Sequence, residues 1–362
     1  MTSVLTPVLP KISRVEVLRR QAKNAGLKLL AKSGLASAIG HRFGGNGIIL
    51  MFHEFVTSPD NLLDQGCRVS DLEAALRNLS QSGWDFVTLG EAIRRISSGN
   101  PNRFVVLTYD DGYRSNIELA LPVMEKYNAP ATIYVPTQMM TRDINAWWLG
   151  LRVLARDNDR IEFDPMGLAF ECVDLPSKIA ALRRMVAWVW EDFRRVEHLA
   201  RIFEAYKVSV ADEVERTVLT EDEMMAADRH PLIEIGAHTT THRALALLSE
   251  ADAEEDIDAN KRYLESKLDR EVPHFAFPYG APSIAGTREA EICKKLGFET
   301  AVTTEPGALF PEHAGYPFLL PRQDAENTVD GQAHITCGVN GVFRALASRL
   351  GDPVVRPDGF SE

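Results

Sequence analysis

The segment FVVLTYDDGYRSN, residues 104–116, places two adjacent carboxylates directly after an apolar, β-branched run. The run predicts a buried strand, and Gly112 permits a sharp turn after Asp110 and Asp111. Adjacent side chains at the end of a strand diverge, so one carboxylate can bind a cation while the other accepts a proton. The same letters also suit an ordinary turn. The interpretation therefore depends on what the neighbouring strands carry.

Short apolar strand candidates alternate with amphipathic helical segments along the chain. Besides 104–109, the strand candidates are residues 47–52, 131–136, 233–237, 274–278 and 299–304. The helical candidates include residues 71–81, residues 116–127 and a segment capped by Ser249. From about 141 to 230 the strand signals fade, and a helical stripe of apolar residues predicts a mainly helical insertion. This order predicts a mostly parallel α/β domain, in which active sites assemble at the carboxyl ends of the strands.

The composition predicts a soluble globular chain. Its 362 residues, 45% hydrophobic, can form one large domain or two ordinary ones. No uncharged apolar run approaches the roughly 18 residues of a membrane span, and the N-terminus lacks the pattern of a secretory signal. We therefore expect a cytoplasmic location. Four widely spaced cysteines predict reduced thiols: Cys67, Cys172, Cys293 and Cys337.

Charge is distributed unevenly along the chain. Residues 1–45 carry a local charge of +7, which, set against the net −11, leaves −18 for the remainder. The acidic body disfavours nucleic acid as a partner. In the arm, apolar residues recur at helical spacing from Ile12 to Leu29 with basic residues between them, which predicts an amphipathic basic helix. This helix either docks on the exterior of the domain or makes a peripheral contact with anionic lipid through residues 11–40.

The segment GAHTTTHRAL, residues 236–245, follows a strand candidate and holds His238 and His242 four residues apart. On a helical turn, residues i and i+4 lie on one face, so both imidazoles can reach one metal ion. Two imidazoles and one carboxylate form a three-ligand site with open positions, the arrangement of hydrolytic zinc centres. We predict a divalent metal, most favourably Zn²⁺, with Co²⁺, Mn²⁺ and Ni²⁺ also compatible with these ligands.

Two further segments carry candidate residues. In HFAFPYGAP, residues 274–282, Pro278 ends a strand and fixes the backbone so that the Tyr279 amide can point into a site, where it suits an oxyanion. Taken alone, Pro-Tyr-Gly is also a turn signature. In INAWWLGL, residues 144–151, Trp147 and Trp148 either stack on sugar rings or pack in the core of the insertion.

Together these motifs resemble those of the polysaccharide deacetylases of carbohydrate esterase family 4, the NodB-homology group. TYDDG (108–112) is similar to the family's TFDDG motif, HTTTH (238–242) to its H-[ST]-x-x-H motif, and FAFPYG (275–280) to its third motif. LMFHEF (50–55) and LLPRQD (319–324) are similar to segments of the branch with an aromatic-Pro-Tyr-Gly motif. The resemblance covers residues 104–325 with a flanking strand from 47, and it implies a distorted (β/α)7 barrel.

The resemblance implies metal-dependent hydrolysis of N-acetyl groups from an amino sugar in an oligosaccharide or a lipid-linked saccharide. By it, Asp110 is the general base and the Tyr279 backbone amide is an oxyanion donor, and His53 and Arg322 lie near the mouth of the site. The metal ligands that it implies are Asp111, His238 and His242. Trp147, Trp148 and Pro278 are the candidate substrate contacts.

The chain also departs from the family pattern. Ala276 stands where many members carry an arginine paired with the catalytic base, and Arg322 is the candidate to supply that charge. The family's Asp-Trp fourth motif is not evident, nor is a clear fifth motif that supplies the general-acid histidine. The candidates for the acid are His53 and His334, with His274 and His313 as poorer ones.

We divide the chain into a basic helical arm (1–45), a deacetylase barrel (46–345, with the insertion at 141–230) and a C-terminal tail (346–362). One alternative is another amidase or a deformylase on the same scaffold, although the insertion with its paired tryptophans favours a sugar. A second is a barrel that binds carbohydrate without catalysis. A decayed site would have lost at least one of its reactive residues, whereas this sequence retains all four: Asp110, Asp111, His238 and His242.

Overall fold

A computed structural model describes residues 14–58, 63, 65–100, 102–326 and 331–360 of the chain. The strands within these residues are β1 Gly47–Phe52, β2 Phe55–Val56, β3 Cys67–Arg68, β4 Asp85–Phe86, β5 Phe104–Tyr109, β6 Ala131–Val135, β7 Arg160–Phe163, β8 Leu168–Glu171, β9 Ile233–Ala237, β10 His274–Ala276, β11 Thr300–Val302 and β12 Gln323–Asp324. Seven of them form one curved parallel sheet in the order β11-β10-β9-β6-β5-β1-β12, and β4 pairs with the start of β5. This is the distorted (β/α)7 barrel that the motifs imply.

Helices cover the sheet and build the additions to it. Their bounds are α1 Arg14–Lys32, α2 Leu35–Phe43, α3 Val69–Gln81, α4 Leu89–Ser98, α5 Leu121–Tyr127, α6 Thr137–Thr141, α7 Trp147–Asp157, α8 Leu175–Glu191, α9 Leu199–Ala205, α10 Val210–Thr217, α11 Glu221–Asp228, α12 Glu250–Leu268, α13 Thr287–Lys295, α14 Gly331–Val339 and α15 Val342–Ala347. A π-helical turn, Asn116–Ala120, leads into α5, so the predicted helix 116–127 is present with an irregular first turn. The predicted cap of α12 is also present, because the Ser249 side chain accepts from the backbone N–H of Asp252.

All six strands predicted from the sequence are present. The bounds of β1, β5 and β9 match the predicted ranges, and β1 and β5 are buried along their whole length. Such continuous burial explains why these strands read as unbroken apolar runs rather than as alternating patterns. β10 ends two residues earlier than predicted, next to Pro278, which has no N–H to donate to a neighbouring strand.

The insertion after β6 is mainly helical, as predicted, and supplies most of a second hydrophobic core, to which Leu63, Ala244 and Ile284 also contribute. Members of this core include Leu151 of α7, Met185 of α8 and Phe203 of α9. An antiparallel hairpin, β7–β8, lies within the insertion and is absent from the sequence prediction. Its first strand, Arg160–Phe163, alternates exposed and buried residues over only four positions, too short a pattern to stand out from the helical signals around it.

The N-terminal arm forms a helix from Arg14, and the predicted helix is therefore confirmed from that residue onward. Its start, including Ile12, lies outside the described residues. Leu27 is buried against α14, where the Cys337 thiol donates to the Leu27 carbonyl at 3.6 Å, so the helix docks on the exterior of the domain. The four cysteines are free thiols, as predicted. Among the described helices, none combines the length and the apolar character needed to cross a membrane.

Candidate active site

The predicted site residues converge at the carboxyl ends of the parallel strands. His53 follows β1, Asp110 and Asp111 follow β5, the two histidines follow β9, and Tyr279 follows β10. They line a cavity of about 640 Å³. The predicted residues in its wall are His53, Asp110, Asp111, Trp147 and Trp148 of α7, His238, His242 and Tyr279. The predicted position of Arg322 near the mouth is wrong, because this residue, directly before β12, is fully buried and is not among the cavity-lining residues. Strand ends are thus where this fold assembles its reactive groups.

Asp111, His238 and His242 form a compact buried cluster whose ligand atoms lie within 4.8 Å of one another. The Asp111 Oδ1 atom is 3.2 Å from His242 Nε2 and 3.6 Å from His238 Nε2. The helical turn that the i, i+4 spacing predicted is wrong, because residues 238–242 form a loop in which Thr239 and His242 have a left-handed backbone. Within the described residues, no other group of three or more His, Cys, Asp or Glu side chains has this arrangement. Nitrogen and oxygen donors at such spacing suit a divalent transition metal.

The hydrogen bonding of the cluster fits a metal ion. His238 Nδ1 lies 2.6 Å from the Ala276 carbonyl, to which it can only donate, and this leaves the lone pair of Nε2 directed at the cluster. Asp111 Oδ1 and His242 Nδ1 are buried without a hydrogen-bond partner. Burial lowers the pKa of His238 to about 4, so its imidazole is neutral, the form that binds a metal.

Asp110 is held by a buried ion pair with Arg322. The guanidinium donates from Nη1 to Oδ1 and from Nη2 to Oδ2, both at 2.7 Å. Burial raises the pKa of Asp110, but the attraction of Arg322 outweighs it and holds this pKa below its usual value. The carboxylate is therefore ionised and fixed in orientation. Arg322 thus supplies the positive charge that is missing at Ala276.

His53 and Glu326 contact each other in the wall of the cavity. The His53 amide donates to Glu326 Oε1 at 2.6 Å, and His53 Nδ1 lies 3.5 Å from Glu326 Oε2. Burial by itself lowers the pKa of His53, but the Glu326 carboxylate overcomes this and raises it. The other three histidines considered for the acid, His274, His313 and His334, are not among the cavity-lining residues.

A comparison of the sequence with protein-family models identifies a known family. The family model for polysaccharide deacetylase matches residues 97–173 and 178–301, more than half of the 362-residue chain. The chain belongs to the polysaccharide deacetylases. The family predicted from the three motifs is therefore confirmed.

Individual relatives of this polysaccharide deacetylase are distant. YxkH of Bacillus subtilis (strain 168), provisionally named as a polysaccharide deacetylase, is 21% identical over 272 residues, which are 74% of this chain and 68% of YxkH. The deacetylase PplD of Streptococcus pyogenes, solved in complex with acetate, superposes with a TM-score of 0.53 at 18% identity, covering 80% of this chain and 97% of PplD. IcaB from Ammonifex degensii superposes with a TM-score of 0.50 at 17% identity, covering 81% and 97% of the two chains. The structural likenesses show the fold.

Several site residues of this deacetylase have a left-handed backbone. Asp111, Thr239, His242 and Tyr279 have φ values of 69°, 63°, 53° and 62°. A side chain with a Cβ adopts this conformation only where its surroundings enforce it, at a cost of about 1–3 kcal/mol per residue. Three of them, Asp111, His242 and Tyr279, line the cavity, and Thr239 lies in the same loop as His242. The surrounding structure therefore holds these loops in a strained conformation that places their side chains and amides at the site.

Helix α12 is one source of that restraint. The fully buried Asn260 side chain accepts from the His238 amide at 2.8 Å and donates to the Val135 carbonyl and the Thr137 hydroxyl. One helical turn earlier, Asp256 accepts from the amide and the hydroxyl of Thr241. Neither residue was predicted from the sequence, although two polar residues at i and i+4 within the buried stripe of a helix are a recognisable signal.

The paired tryptophans support the site by hydrogen bonds. Trp147 is only 3% exposed, and its indole donates to the Tyr279 hydroxyl at 2.8 Å. Trp148 is half-buried, donates to the Tyr113 hydroxyl at 2.9 Å and has its ring 4.8 Å from that of His242. Trp147 is therefore mostly packed in the interior, which was the alternative to sugar stacking. Sugar stacking by either indole stays a prediction. Pro278 is not among the cavity-lining residues.

Other lining residues went unnoticed in the sequence. Arg152 of α7 pairs in a buried position with Glu54, the residue next to His53, and also lies 3.6 Å from Glu213 of α10. This network ties the insertion to the loop that carries His53. Trp190 of α8 and Glu326 complete the wall. No local pattern marks Glu326, because its partner His53 is 273 residues away.

Proposed function

We propose that this polysaccharide deacetylase hydrolyses N-acetyl groups from an amino sugar in an oligosaccharide or a lipid-linked saccharide, with a divalent metal held by Asp111, His238 and His242. Zn²⁺ is the favoured metal, and Co²⁺, Mn²⁺ and Ni²⁺ are compatible with the same ligands. The observation that carries the proposal is the buried three-ligand cluster next to an ionised carboxylate that is not part of it, Asp110. This is the minimum set for a metal-assisted attack of water on an amide.

The proposed mechanism assigns one task to each group. When bound, the metal supplies a Lewis acid that polarises the acetyl carbonyl and lowers the pKa of water. Asp110 accepts the proton of the attacking water, and Arg322 keeps that carboxylate charged and oriented. The Tyr279 amide donates a hydrogen bond to the oxyanion that forms at the carbonyl. His53, kept protonated by Glu326, donates its proton to the departing amine.

The proposed partners follow from the same site. An N-acetylated carbohydrate is the substrate, with Trp147 and Trp148 as candidate ring contacts and Pro278 fixing the backbone before Tyr279. A cytoplasmic location and a peripheral contact of residues 11–40 with anionic lipid stay predictions. In the described part of this arm, Leu29 and Leu35 are 67% and 54% exposed, which supports the lipid contact.

The experiment compares metal content and acetate release in wild type, Asp110→Asn and His238→Ala, with chito-oligosaccharides as substrate. We expect Asp110→Asn to retain the metal and to lose about 10²- to 10⁴-fold in kcat, the usual contribution of a general base. We expect His238→Ala to lose both metal and activity, and a control variant of the exposed His41, His41→Ala, to lose neither.

The outcomes separate the proposal from its alternatives. Wild type that binds no metal after reconstitution would overturn the catalytic proposal and favour a carbohydrate-binding barrel. Bound metal with release of formate from N-formyl amines, but no acetate from any N-acetyl saccharide, would favour a deformylase.

A further inference from the structure

One face of the insertion helix α8 lines the active-site cavity. Arg183, Val186 and Trp190 contribute to the cavity wall, and their spacing of three and four residues puts them on one side of the helix. The adjacent side of α8 packs into the core of the insertion through Leu182, Met185 and Val189. The insertion therefore supplies part of the cavity wall while its own core keeps α8 in place.

Trp190 is the unusual residue of this face. Its side chain is 45% exposed, and it is the only aromatic residue among the exposed large hydrophobic side chains of the described chain. An exposed indole in a concave site, beside polar catalytic groups, is typical of a surface that binds a ligand. The indole is also held in place, since its ring lies 5.1 Å from Phe193 and 5.6 Å from Tyr279, both edge to face.

Aromatic rings form a series that starts at the Asp111–His238–His242 cluster. The Tyr279 ring lies 4.9 Å from His242, and Trp190 lies beyond Tyr279. A sugar whose acetyl group is at the cluster would therefore have its neighbouring sugar unit near Trp190. One cavity extends from the Asp111–His238–His242 cluster to Trp190, because His242, Tyr279 and Trp190 all line it. Asn24 of α1 and Gln65 also line this space.

We infer that Trp190 is the stacking platform for a second sugar unit, next to the unit that loses its acetyl group, and that the insertion selects saccharides of at least two units. This inference rests on the proposed function. The flat indole matches the C–H face of a pyranose, and the two edge contacts to Phe193 and Tyr279 keep the ring in one orientation, so little conformational entropy is lost on binding. Trp190 is a specificity-determining residue.

The test measures kcat and KM of wild type, Trp190→Ala and Trp190→Phe on N-acetylglucosamine and on chito-oligosaccharides of two to four units. We expect kcat/KM of wild type to rise from one unit to two. In Trp190→Ala this rise is lost, through a KM for the longer substrates that is higher by on the order of tenfold, and Trp190→Phe restores part of it. Trp188→Ala on the same helix is the matched control, because Trp188 packs on Phe163 and is not a cavity residue. We expect Trp188→Ala to lower thermal stability and to keep the rise of kcat/KM from one sugar unit to two.

A binding measurement separates this inference from the proposed function. Tryptophan fluorescence of Asp110→Asn is titrated with the same saccharides, with and without the additional change Trp190→Phe. A spectral shift with two or more units that disappears with Trp190→Phe supports the platform even if wild type releases no acetate. An active wild type whose preference for longer saccharides persists in Trp190→Ala overturns the inference and leaves the deacetylase function intact. The absence of any saccharide-dependent shift in the titration also overturns it.

Discussion

At the scale of single residues, the Asp110–Arg322 pair fixes the carboxylate that we propose as the general base. Its partners are 212 residues apart in sequence and both are buried. Arg322 also donates from Nε to the Thr303 carbonyl at 2.8 Å, so the guanidinium is held on more than one side. A buried charge of this kind is stabilised only while its partner is present, and removal of one partner typically costs about 3–5 kcal/mol. The pair therefore sets both the orientation and the pKa of the proposed base.

Arg322→Lys tests this influence without removing the charge. Lysine cannot reproduce the two parallel hydrogen bonds, so the pKa of Asp110 rises toward its usual value. A base must be deprotonated to act, and the acidic limb of the kcat/KM profile therefore moves to higher pH, with a lower kcat. The measurement is the pH profile of acetate release at saturating metal. An acidic limb that stays at the wild-type pH in an active Arg322→Lys variant would show that another group titrates there.

At the scale of elements, α12 supports the loop after β9, which carries His238 and His242. Its Asn260 side chain connects the His238 amide to the end of β6, so a helix on the outside of the barrel determines where an imidazole lies inside it. Partners that orient a metal ligand in this way typically affect metal affinity by about 10- to 100-fold. The left-handed backbone of Thr239 and His242 makes such support necessary.

Asn260→Ala should weaken metal binding by about 10- to 100-fold. The His238 amide loses its acceptor, and the loop can then relax toward an unstrained backbone. Competition with a chelator gives the affinity, and chemical denaturation of the metal-free protein gives the stability change separately. Asn260→Asp keeps the acceptor and should lose less affinity than Asn260→Ala. Glu255→Ala, an exposed change on the same helix, is the control. Equal metal affinity in Asn260→Ala and wild type would refute this role of α12.

At the scale of the whole molecule, two buried histidines outside the Asp111–His238–His242 cluster should connect stability to pH. His313 accepts from the Phe310 amide through Nδ1 and lies 3.1 Å from the Val355 carbonyl through Nε2. His274 has Nδ1 2.9 Å from the Thr300 hydroxyl. Burial lowers the pKa of each from 6.5 to about 4, so both are neutral in the folded chain.

The stability of the fold should therefore fall as the pH drops from 6.5 toward 4. In this window the unfolded chain binds protons at these histidines and the folded chain does not, which favours unfolding by up to on the order of 3 kcal/mol for each. Above pH 6.5 the contribution is fully present. Urea denaturation of the metal-free protein across the window gives the slope. His274→Gln/His313→Gln should flatten it, and His41→Gln, an exposed change, should not. A double variant with the wild-type slope would assign the effect to other groups.

The sequence by itself determined much of this protein. Apolar runs predicted β1 and β5 with their observed bounds, because these strands are buried along their whole length, and the segment IEIGA predicted β9 although its Glu234 is only partly buried. The spacing of His238 and His242 and the Asp110–Asp111 pair indicated the cluster, since strand ends meet at one edge of a parallel sheet. The cap at Ser249 was equally local. In each case the signal that allowed the prediction is a pattern within a few residues of the sequence, although the cluster itself joins Asp111 to histidines more than 100 residues away.

Only the tertiary structure decided which distant residues complete the site. Arg322 was proposed to replace the charge missing at Ala276, but its bidentate contact with Asp110 depends on the order of the sheet, in which β5 and β12 are the two neighbours of β1. Glu326 beside His53, and Trp190 in the cavity wall, follow from how separate segments pack against the strand ends. A sequence pattern carries information about neighbours along the chain, whereas these contacts join residues that only the folded backbone brings together. The long-range partners are therefore set by packing, and they determine the charge, the orientation and the shape of the candidate site.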